Sequence, residues 1–176
     1  MNKIRLFIAA SLDGYIARIS GEVDWLFTDQ DYGYQDFFAE VDTVLMGRKT
    51  YEQVLEFGEY PYIGKQGFVF FQTRHGERDE NVEFIGENLE EFVNNLRQSS
   101  GGDIWLVGGT EIIGYFIKHG FLDELILAIH PIILGDGIPL IVKDKHLETK
   151  LKFKEVKTYD SGLLQLFYTL ATNTSI

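Results

Sequence analysis

The chain has 176 residues and a mass of 20.2 kDa, and 45% of its residues are hydrophobic while 24% are charged. This composition excludes a disordered or fibrous protein and predicts one globular domain over residues 1–176. The chain contains no cysteine, which excludes disulfides, a thiolate nucleophile and metal sites built on thiolates. Its net charge of −11 argues against a nucleic-acid partner, because binding to phosphates requires a basic surface.

The apolar runs of the chain are all short. None approaches the ~18 residues that a membrane-spanning helix needs, and the run near Met1 is too short for a signal peptide. We therefore expect a cytoplasmic protein that has no membrane partner.

Strand and helix patterns alternate over the first two thirds of the chain. Thr28 and Asp31 have the spacing of a helix start, and apolar residues then recur with a helical period. Strands are predicted at residues 3–10, 43–46, 67–72, 82–85 and 103–107. They alternate with a helix that starts near Thr28 and reaches Val41, and with helices at 49–56, 89–96 and 110–118. This order predicts a parallel sheet with right-handed crossovers.

The last third of the chain has a different pattern. Strands are predicted at 124–130, 151–158 and 163–172 with no helix between them, and the last two are joined by a hairpin turn over Tyr159 to Gly162. The predicted fold is therefore a single α/β domain. Its mixed sheet is parallel first and antiparallel at the C-terminal hairpin, with helices on both faces.

Several kinds of catalytic site are excluded by spacing. The four histidines do not form a zincin pattern, no serine lies in a Gly-x-Ser-x-Gly elbow, and no Gly-x-Gly-x-x-Gly follows the first strand. No metal site is predicted, and the histidines are interpreted as solvated residues of loops and strand ends. What remains is chemistry that needs neither a protein nucleophile nor a metal.

Three loops at predicted strand ends are suited to an anion. They are Gly47-Arg48-Lys49-Thr50, Thr73-Arg74 and Gly108-Gly109-Thr110. Glycine allows close approach of a phosphate, and a helix start presents free N–H groups. Because parallel strands end at one edge of a sheet, the three loops together predict a site for a phosphorylated ligand. Each loop taken alone is also compatible with an ordinary helix cap.

Four segments together resemble the dihydrofolate reductase superfamily. They are IAASLDGYIA at 8–17, Trp25, VLMGRKTYE at 44–52 and VGGTEI at 107–112. The segment LDELILAIHPIILGDG at 122–137 is typical of the branch that contains the reductase domain of the bifunctional riboflavin deaminase-reductase. The resemblance covers nearly the whole chain and implies a dihydrofolate-reductase-like fold.

The resemblance also implies a site for the cofactor NADPH. In this superfamily the backbone of the residue at Ala10 contacts the nicotinamide amide, and the residue at Ile16 covers the ring. The remaining cofactor-binding positions that it implies are Gly47, Arg48, Lys49, Thr50, Thr73, Arg74, Gly108, Gly109, Thr110, Glu111 and Ile112. In the family the glycine pair is joined by a cis peptide bond.

On the substrate side, the resemblance implies roles for three residues. Trp25 matches a tryptophan near the nicotinamide, although a core tryptophan is the other reading. Asp29 and Asp31 bracket the position of the carboxylate that pairs with the pterin in dihydrofolate reductases. We assign Asp31 as the catalytic carboxylate and Asp29 to substrate binding, while helix capping remains the alternative for both.

Two departures bear on the substrate. The riboflavin-type reductase has a glutamate before its glycine pair, where this chain has Val107, and the family's acidic-acidic-proline run after the threonine is replaced by Tyr51-Glu52-Gln53. Both put the substrate 5-amino-6-(5-phosphoribosylamino)uracil in doubt. The predicted function is therefore broader, an NADPH-dependent oxidoreductase that transfers hydride to a small pterin-like or aminopyrimidine heterocycle. The alternative is an NADP(H)-binding protein of the same fold without physiological turnover.

A homodimer is also expected. The segments 121–134 and 163–170 are rich in apolar residues, and the second has them on both faces of its predicted strand. An edge strand normally has one face exposed to solvent, so a strand with two apolar faces needs other residues packed against its second face. A partner subunit supplies one, and helices from earlier in the chain are the alternative.

Overall fold

A computed structural model describes residues 1–171 of the chain. It contains ten strands, β1 (Ile4–Ser11), β2 (Tyr15–Ala17), β3 (Val41–Gly47), β4 (Gln66–Phe70), β5 (Val82–Ile85), β6 (Asp103–Gly108), β7 (Glu124–His130), β8 (Ile138–Pro139), β9 (Leu151–Thr158) and β10 (Leu164–Leu170). The helices are α1 (Tyr34–Glu40), α2 (Arg48–Glu56), α3 (Leu89–Gln98) and α4 (Thr110–Lys118). Within residues 1–171, no helix is long and apolar enough to cross a membrane.

Eight of the strands form one mixed sheet. Their order is β5-β4-β3-β6-β1-β7-β10-β9, and β2 pairs separately with β8. The six strands from β5 to β7 are parallel, while β10 is antiparallel to both of its neighbours. The predicted fold class is confirmed, and β3, β6, β1 and β7 all end at the same edge of the sheet.

The helices pack on both faces of this sheet, as predicted. On one face, Val93 of α3 and Phe116 of α4 join a buried cluster with Leu6 and Leu106. On the other face, Phe37 of α1 and Tyr51 of α2 join a second cluster around Trp105. Side chains alternate between the two faces along each central strand, so β1 sends Leu6 to the first cluster and Phe7 to the second.

The predicted elements differ from the observed ones mainly at the start of α1 and in two short strands, and β4 ends at Phe70 rather than at Gln72. Helix α1 begins at Tyr34 rather than near Thr28, because Tyr32 and Gly33 have left-handed backbone (φ 53° and 80°) that a continuous helix cannot include. The short strands β2 and β8 were not predicted. The last strand was predicted to extend to Thr172, which lies outside the described residues.

Candidate functional site

Two glycine turns lie side by side at the carboxyl edge of the sheet. Strands β3 and β6 are neighbours, with Met46 opposite Gly108, and the Gly108–Gly109 peptide is cis. A Cβ atom added to Gly47 would lie 3.9 Å from the Gly108 carbonyl oxygen and from the Gly109 nitrogen. The structure therefore brings together two of the three predicted anion loops.

Each glycine turn opens directly into a helix. Gly47 is the N-cap of α2 and Gly109 is the N-cap of α4, and neither helix start is capped by a side chain. The first backbone N–H groups of a helix lack intrahelical partners and carry a partial positive charge. Two adjacent helix starts of this kind form a suitable environment for phosphate groups.

Three basic residues follow the neighbouring strands β3 and β4. The guanidinium of Arg48 lies over the ring of Phe71, 5.3 Å from its centroid, which places it beside the end of β4. Lys49 follows in the first turn of α2 and is exposed. Arg74 is held within its own loop. Its Nε donates to Glu77 Oε2 at 2.7 Å, and its guanidinium lies over the ring of Phe84.

The two threonines of these turns have different surroundings. The hydroxyl of Thr110 donates a hydrogen bond to the Pro139 carbonyl oxygen, and so joins the start of α4 to β8. The Thr50 hydroxyl oxygen lies 3.0 Å from the position that a Cβ of Gly109 would take. The single hydroxyl hydrogen of Thr110 is thus engaged within the protein, whereas Thr50 faces the glycine turn.

The loop after β1 is held over the same edge by an aspartate. Asp13 accepts hydrogen bonds from the Ser11 hydroxyl (2.7 Å) and from the backbone nitrogens of Leu134 (3.1 Å) and Gly135 (2.8 Å). The bond from Ser11, followed by those from the two amides, lowers the pKa of Asp13 below its ordinary value. These contacts fix Ala10, which is buried at the end of β1, and Ile16 of β2 relative to the segment after β7.

An aromatic cluster closes the end of β7. The ring of Trp25 is 7% exposed and meets the buried ring of His130 edge to face, with centroids 5.2 Å apart. His130 Nε2 accepts the backbone N–H of Phe27 at 3.2 Å, and its Nδ1 lies 3.3 Å from the Ala128 carbonyl oxygen. Burial lowers the pKa of His130, so the neutral imidazole is favoured.

The candidate carboxylates lie beyond this cluster, in the loop before α1. Asp29 accepts a hydrogen bond from the Tyr32 hydroxyl at 2.7 Å, and that hydroxyl is 2.9 Å from Ser161 Oγ in the β9–β10 turn. Both oxygens of Asp31 lie 3.2 Å from the Gln35 backbone nitrogen. Asp31 thus contacts the first turn of α1, as a capping residue would, and both carboxylates are exposed.

This fold is found in known proteins. The family model of the RibD C-terminal domain matches residues 2–60 and 64–165 of the chain. The chain belongs to the RibD C-terminal domain family. The resemblance drawn from the sequence motifs, to the riboflavin-type branch of the dihydrofolate reductase superfamily, is thereby confirmed.

Relatives of similar length occur in Bacillus subtilis (strain 168). The uncharacterized protein YwjB is 41% identical over 173 residues, which are 96% of this chain and 98% of that protein. The uncharacterized protein YyaP is 39% identical over 178 residues, covering 94% of each chain.

Two solved structures show the same RibD-type fold. A Shewanella sp. PV-4 protein named for riboflavin biosynthesis has a TM-score of 0.84 and 28% identity, with 96% of this chain and 99% of that chain covered. The diaminohydroxyphosphoribosylaminopyrimidine deaminase/5-amino-6-(5-phosphoribosylamino)uracil reductase of Thermotoga maritima has a TM-score of 0.74 and 18% identity. There the match covers 97% of this chain and 57% of that larger chain.

Within this RibD-type domain, the predicted residues fall into two groups. The cofactor positions of β3, α2, β6 and α4 are adjacent, and Thr73 and Arg74 follow β4 in a short helical turn. Trp25, Asp29 and Asp31 lie at the other half of the edge, near β7 and β10. Val107, the residue before the glycine pair, packs against the cluster around Trp105.

Three residues near the candidate site were not predicted from the sequence to belong to it: His130, Tyr32 and Ser161. His130 was interpreted as solvated, yet its side chain is 4% exposed. Its position at the end of an apolar strand and before Pro131 was the available signal. Tyr32 and Ser161 are 129 residues apart, and no local pattern indicates that their hydroxyls meet.

Proposed function

We propose that the protein is an NADPH-dependent reductase that transfers hydride to a pterin-like or aminopyrimidine heterocycle. The observation that carries this proposal is the pair of uncapped helix starts behind Gly47 and Gly109, with Arg48 and Lys49 in the first turn of α2. Membership of the RibD C-terminal domain family supports the same reaction class.

The glycine turns fit the phosphate groups of such a cofactor. The space beside Gly47 and Gly109 is bounded by backbone atoms, by the Thr50 hydroxyl and by the Cγ2 methyl of Ile112, so a phosphate would have room to reach the N–H donors of the two helix starts. Arg48 and Lys49 would hold the additional 2′-phosphate that distinguishes NADPH from NADH. Glu111 and Ile112, in the first turn of α4, would border the pyrophosphate. When bound, NADPH supplies the hydride.

The chain's own residues would orient the reacting groups and exclude water. The backbone of Ala10 would position the nicotinamide amide, and Ile16 would cover one side of the ring. Trp25 closes the same end of the edge, with its ring packed on His130. Removal of water strengthens each polar contact with the substrate.

We assign Asp31 as the catalytic carboxylate and Asp29 as a substrate-binding one. Each can accept an N–H of an amino-substituted heterocycle, and Asp31 is the candidate to hold the proton that accompanies hydride transfer. Because Asp31 now accepts the Gln35 amide, substrate would compete with that contact.

The second candidate function is NADP(H) binding without turnover. The observation that favours it is that both carboxylates already have hydrogen-bond partners within the chain. NADPH oxidation measured against pterins and aminouracils separates the two functions. Tight binding of NADPH without its oxidation in the presence of any of these compounds would support the second function, NADP(H) binding without turnover.

Cofactor preference tests the proposed site directly. Arg48→Ala combined with Lys49→Ala should weaken NADPH binding at least tenfold and leave NADH binding nearly unchanged, because only the 2′-phosphate loses its cations. Arg78→Ala is the matched control, since Arg78 is exposed and paired with Glu83 on the loop before β5. An equal loss of affinity for both cofactors would refute this assignment.

A further inference from the structure

The carboxyl edge of the sheet is divided into two halves of different charge. The cofactor half consists of the turns after β3, β4 and β6, where Arg48, Lys49 and Arg74 lie. The substrate half consists of three segments, residues 11–33, 131–139 and 159–163, which follow β1, follow β7 and precede β10. These three segments contain seven Asp or Glu residues and one basic residue, Arg18.

The three segments of the substrate half form one surface. Asp13 binds the backbone of Leu134 and Gly135, which joins the first segment to the second. The hydroxyls of Tyr32 and Ser161 lie 2.9 Å apart and join the first segment to the third. A molecule bound over this surface would therefore lie near charges of all three segments.

The single basic residue of this half is neutralised. Arg18 Nε lies 2.6 Å from Asp24 Oδ1, and its Nη2 lies 3.0 Å from Oδ2, which is a bidentate ion pair. Within residues 1–171, Asp29, Asp31 and Asp160 form no ion pair with a basic side chain. An anionic group placed here would meet these carboxylates, while Lys157, the basic residue that precedes the third segment, has its ammonium over the ring of Phe167, 5.1 Å from the centroid.

The cations of the cofactor half are too distant to compensate. Three strand spacings separate β3 from β7, which is about 14 Å. At physiological ionic strength, charges are screened over about 8 Å. In addition, the proposed function assigns Arg48 and Lys49 to the phosphate of NADPH.

We infer that the substrate is a heterocycle without a phosphate group, neutral or cationic under physiological conditions. This inference rests on the proposed function and narrows its substrate class. It sets this chain apart from the Thermotoga maritima enzyme, whose name specifies a phosphoribosyl substrate. A neutral ring with amino substituents presents N–H donors to Asp29 and Asp31, whereas a phosphate would be repelled by them.

Matched pairs of ligands that differ only in a phosphate test the inference. One pair is 5-amino-6-(5-phosphoribosylamino)uracil and its phosphatase product, and the other is 6-hydroxymethylpterin phosphate and 6-hydroxymethylpterin. Calorimetry on the NADPH-saturated protein should show at least tenfold tighter binding of the unphosphorylated member. The ratio should fall towards one in high salt, because the repulsion is screened.

Variants that remove charge test whether the carboxylates of the substrate half cause the difference in affinity between the unphosphorylated and the phosphorylated ligand. Asp29→Asn with Asp160→Asn should narrow the ratio severalfold. Glu56→Gln with Glu59→Gln removes the same charge near the end of α2, at the opposite edge, and should leave the ratio unchanged.

The outcomes separate this inference from the proposed function. Equal or tighter binding of the phosphorylated members, or no binding of either pair to the NADPH-loaded protein, overturns the inference while the NADPH site stands. A protein that does not bind NADPH overturns the proposed function and the inference with it.

Discussion

At the scale of single residues, the space beside Gly109 is the sharpest test of the cofactor site. Gly109→Ala is expected to abolish NADPH binding while the protein still folds. The backbone of Gly109 has an ordinary φ of −92°, but a Cβ would lie 3.0 Å from the Thr50 hydroxyl oxygen and occupy the proposed approach of a phosphate. Calorimetry gives the affinity, and chemical denaturation gives the free energy of unfolding.

Gly47→Ala, in the neighbouring glycine turn, is a comparison in which the added Cβ causes less steric crowding. Its Cβ would make contacts of 3.9 Å, which are ordinary packing distances, so the free energy of unfolding should change by less than about 0.5 kcal/mol. NADPH binding should still weaken, because the Cβ narrows the space for a phosphate.

One outcome would contradict the prediction for Gly109. Normal NADPH affinity in a folded Gly109→Ala protein would mean that the glycine pair is only a helix start.

What the sequence could predict at this scale was the local chemistry. Glycine before a helix and two adjacent cations indicate an anion site without any knowledge of distant contacts. The hydrogen bond from Thr110 to Pro139 spans 29 residues and could not be predicted. For the same reason, the sequence could not show that Asp29 is bound by Tyr32 while Tyr32 contacts Ser161.

At the scale of elements, β7 holds the loop before α1 through a neutral histidine. Below its pKa, His130 would be protonated at Nε2 and could no longer accept the Phe27 N–H. Since burial lowers the folded-state pKa below 6.5, the unfolded chain takes up this proton first as the pH falls. The contribution of His130 to stability is therefore complete above about pH 6.5 and decreases below it, by at most about 1.4 kcal/mol per pH unit.

Tryptophan emission reports this change locally. In a Trp105→Phe background, emission from Trp25 should decrease in one step below pH 6.5, because the imidazolium lies against the indole and quenches it. The ring of His130 is packed between Trp25 and Phe27, and no carboxylate in residues 1–171 forms an ion pair with it. His130→Gln should remove the step, and its persistence in that variant would assign the titration to another group.

The order of elements was predictable, whereas their exact starts were not. Periodicity placed α2, α3 and α4 within a residue or two, because each buries one apolar face on the sheet. Helix α1 starts later than Thr28 because the left-handed backbone of Tyr32 and Gly33 interrupts the pattern. Strands β2 and β8 are three and two residues long, and their pairing depends on contacts between distant segments.

At the scale of the whole molecule, one face of the antiparallel region lacks a cover. Residues paired across strands lie on the same face of a sheet, and Leu125 and Leu170 place this face on the side of α3 and α4. Helix α4 lies over β3 and β6 and leaves the outer strands open. We call this the outer face, and its side chains are Leu125, Leu127, Ile129, Leu151, Phe153, Val156, Leu164, Leu166, Tyr168 and Leu170.

Exposure and charge both make this outer face the candidate for a contact surface. Phe153 is 55% exposed, Leu151 and Val156 are each 44% exposed, and Leu164 is 40% exposed. The charged residues paired with β10, Lys152, Glu155 and Lys157, lie on the opposite face of β9. Lys154 lies unpaired at the bulge of β9. A face of three strands whose paired residues carry no charge is typical of an interface core.

We therefore expect two copies to pack outer face against outer face. Lysines along β9 disfavour pairing of the two edge strands, since like charges would then meet. Light scattering at micromolar concentration should give twice the 20.2 kDa chain mass. Phe153→Asp should reduce the measured mass to that of one chain, because a dimer of this variant would bury two carboxylates at the two-fold contact. Lys152→Asp is the control. It introduces the same side chain on the opposite face and should remain dimeric. A wild-type mass of 20.2 kDa, or a dimer that survives Phe153→Asp, would exclude this face as the interface.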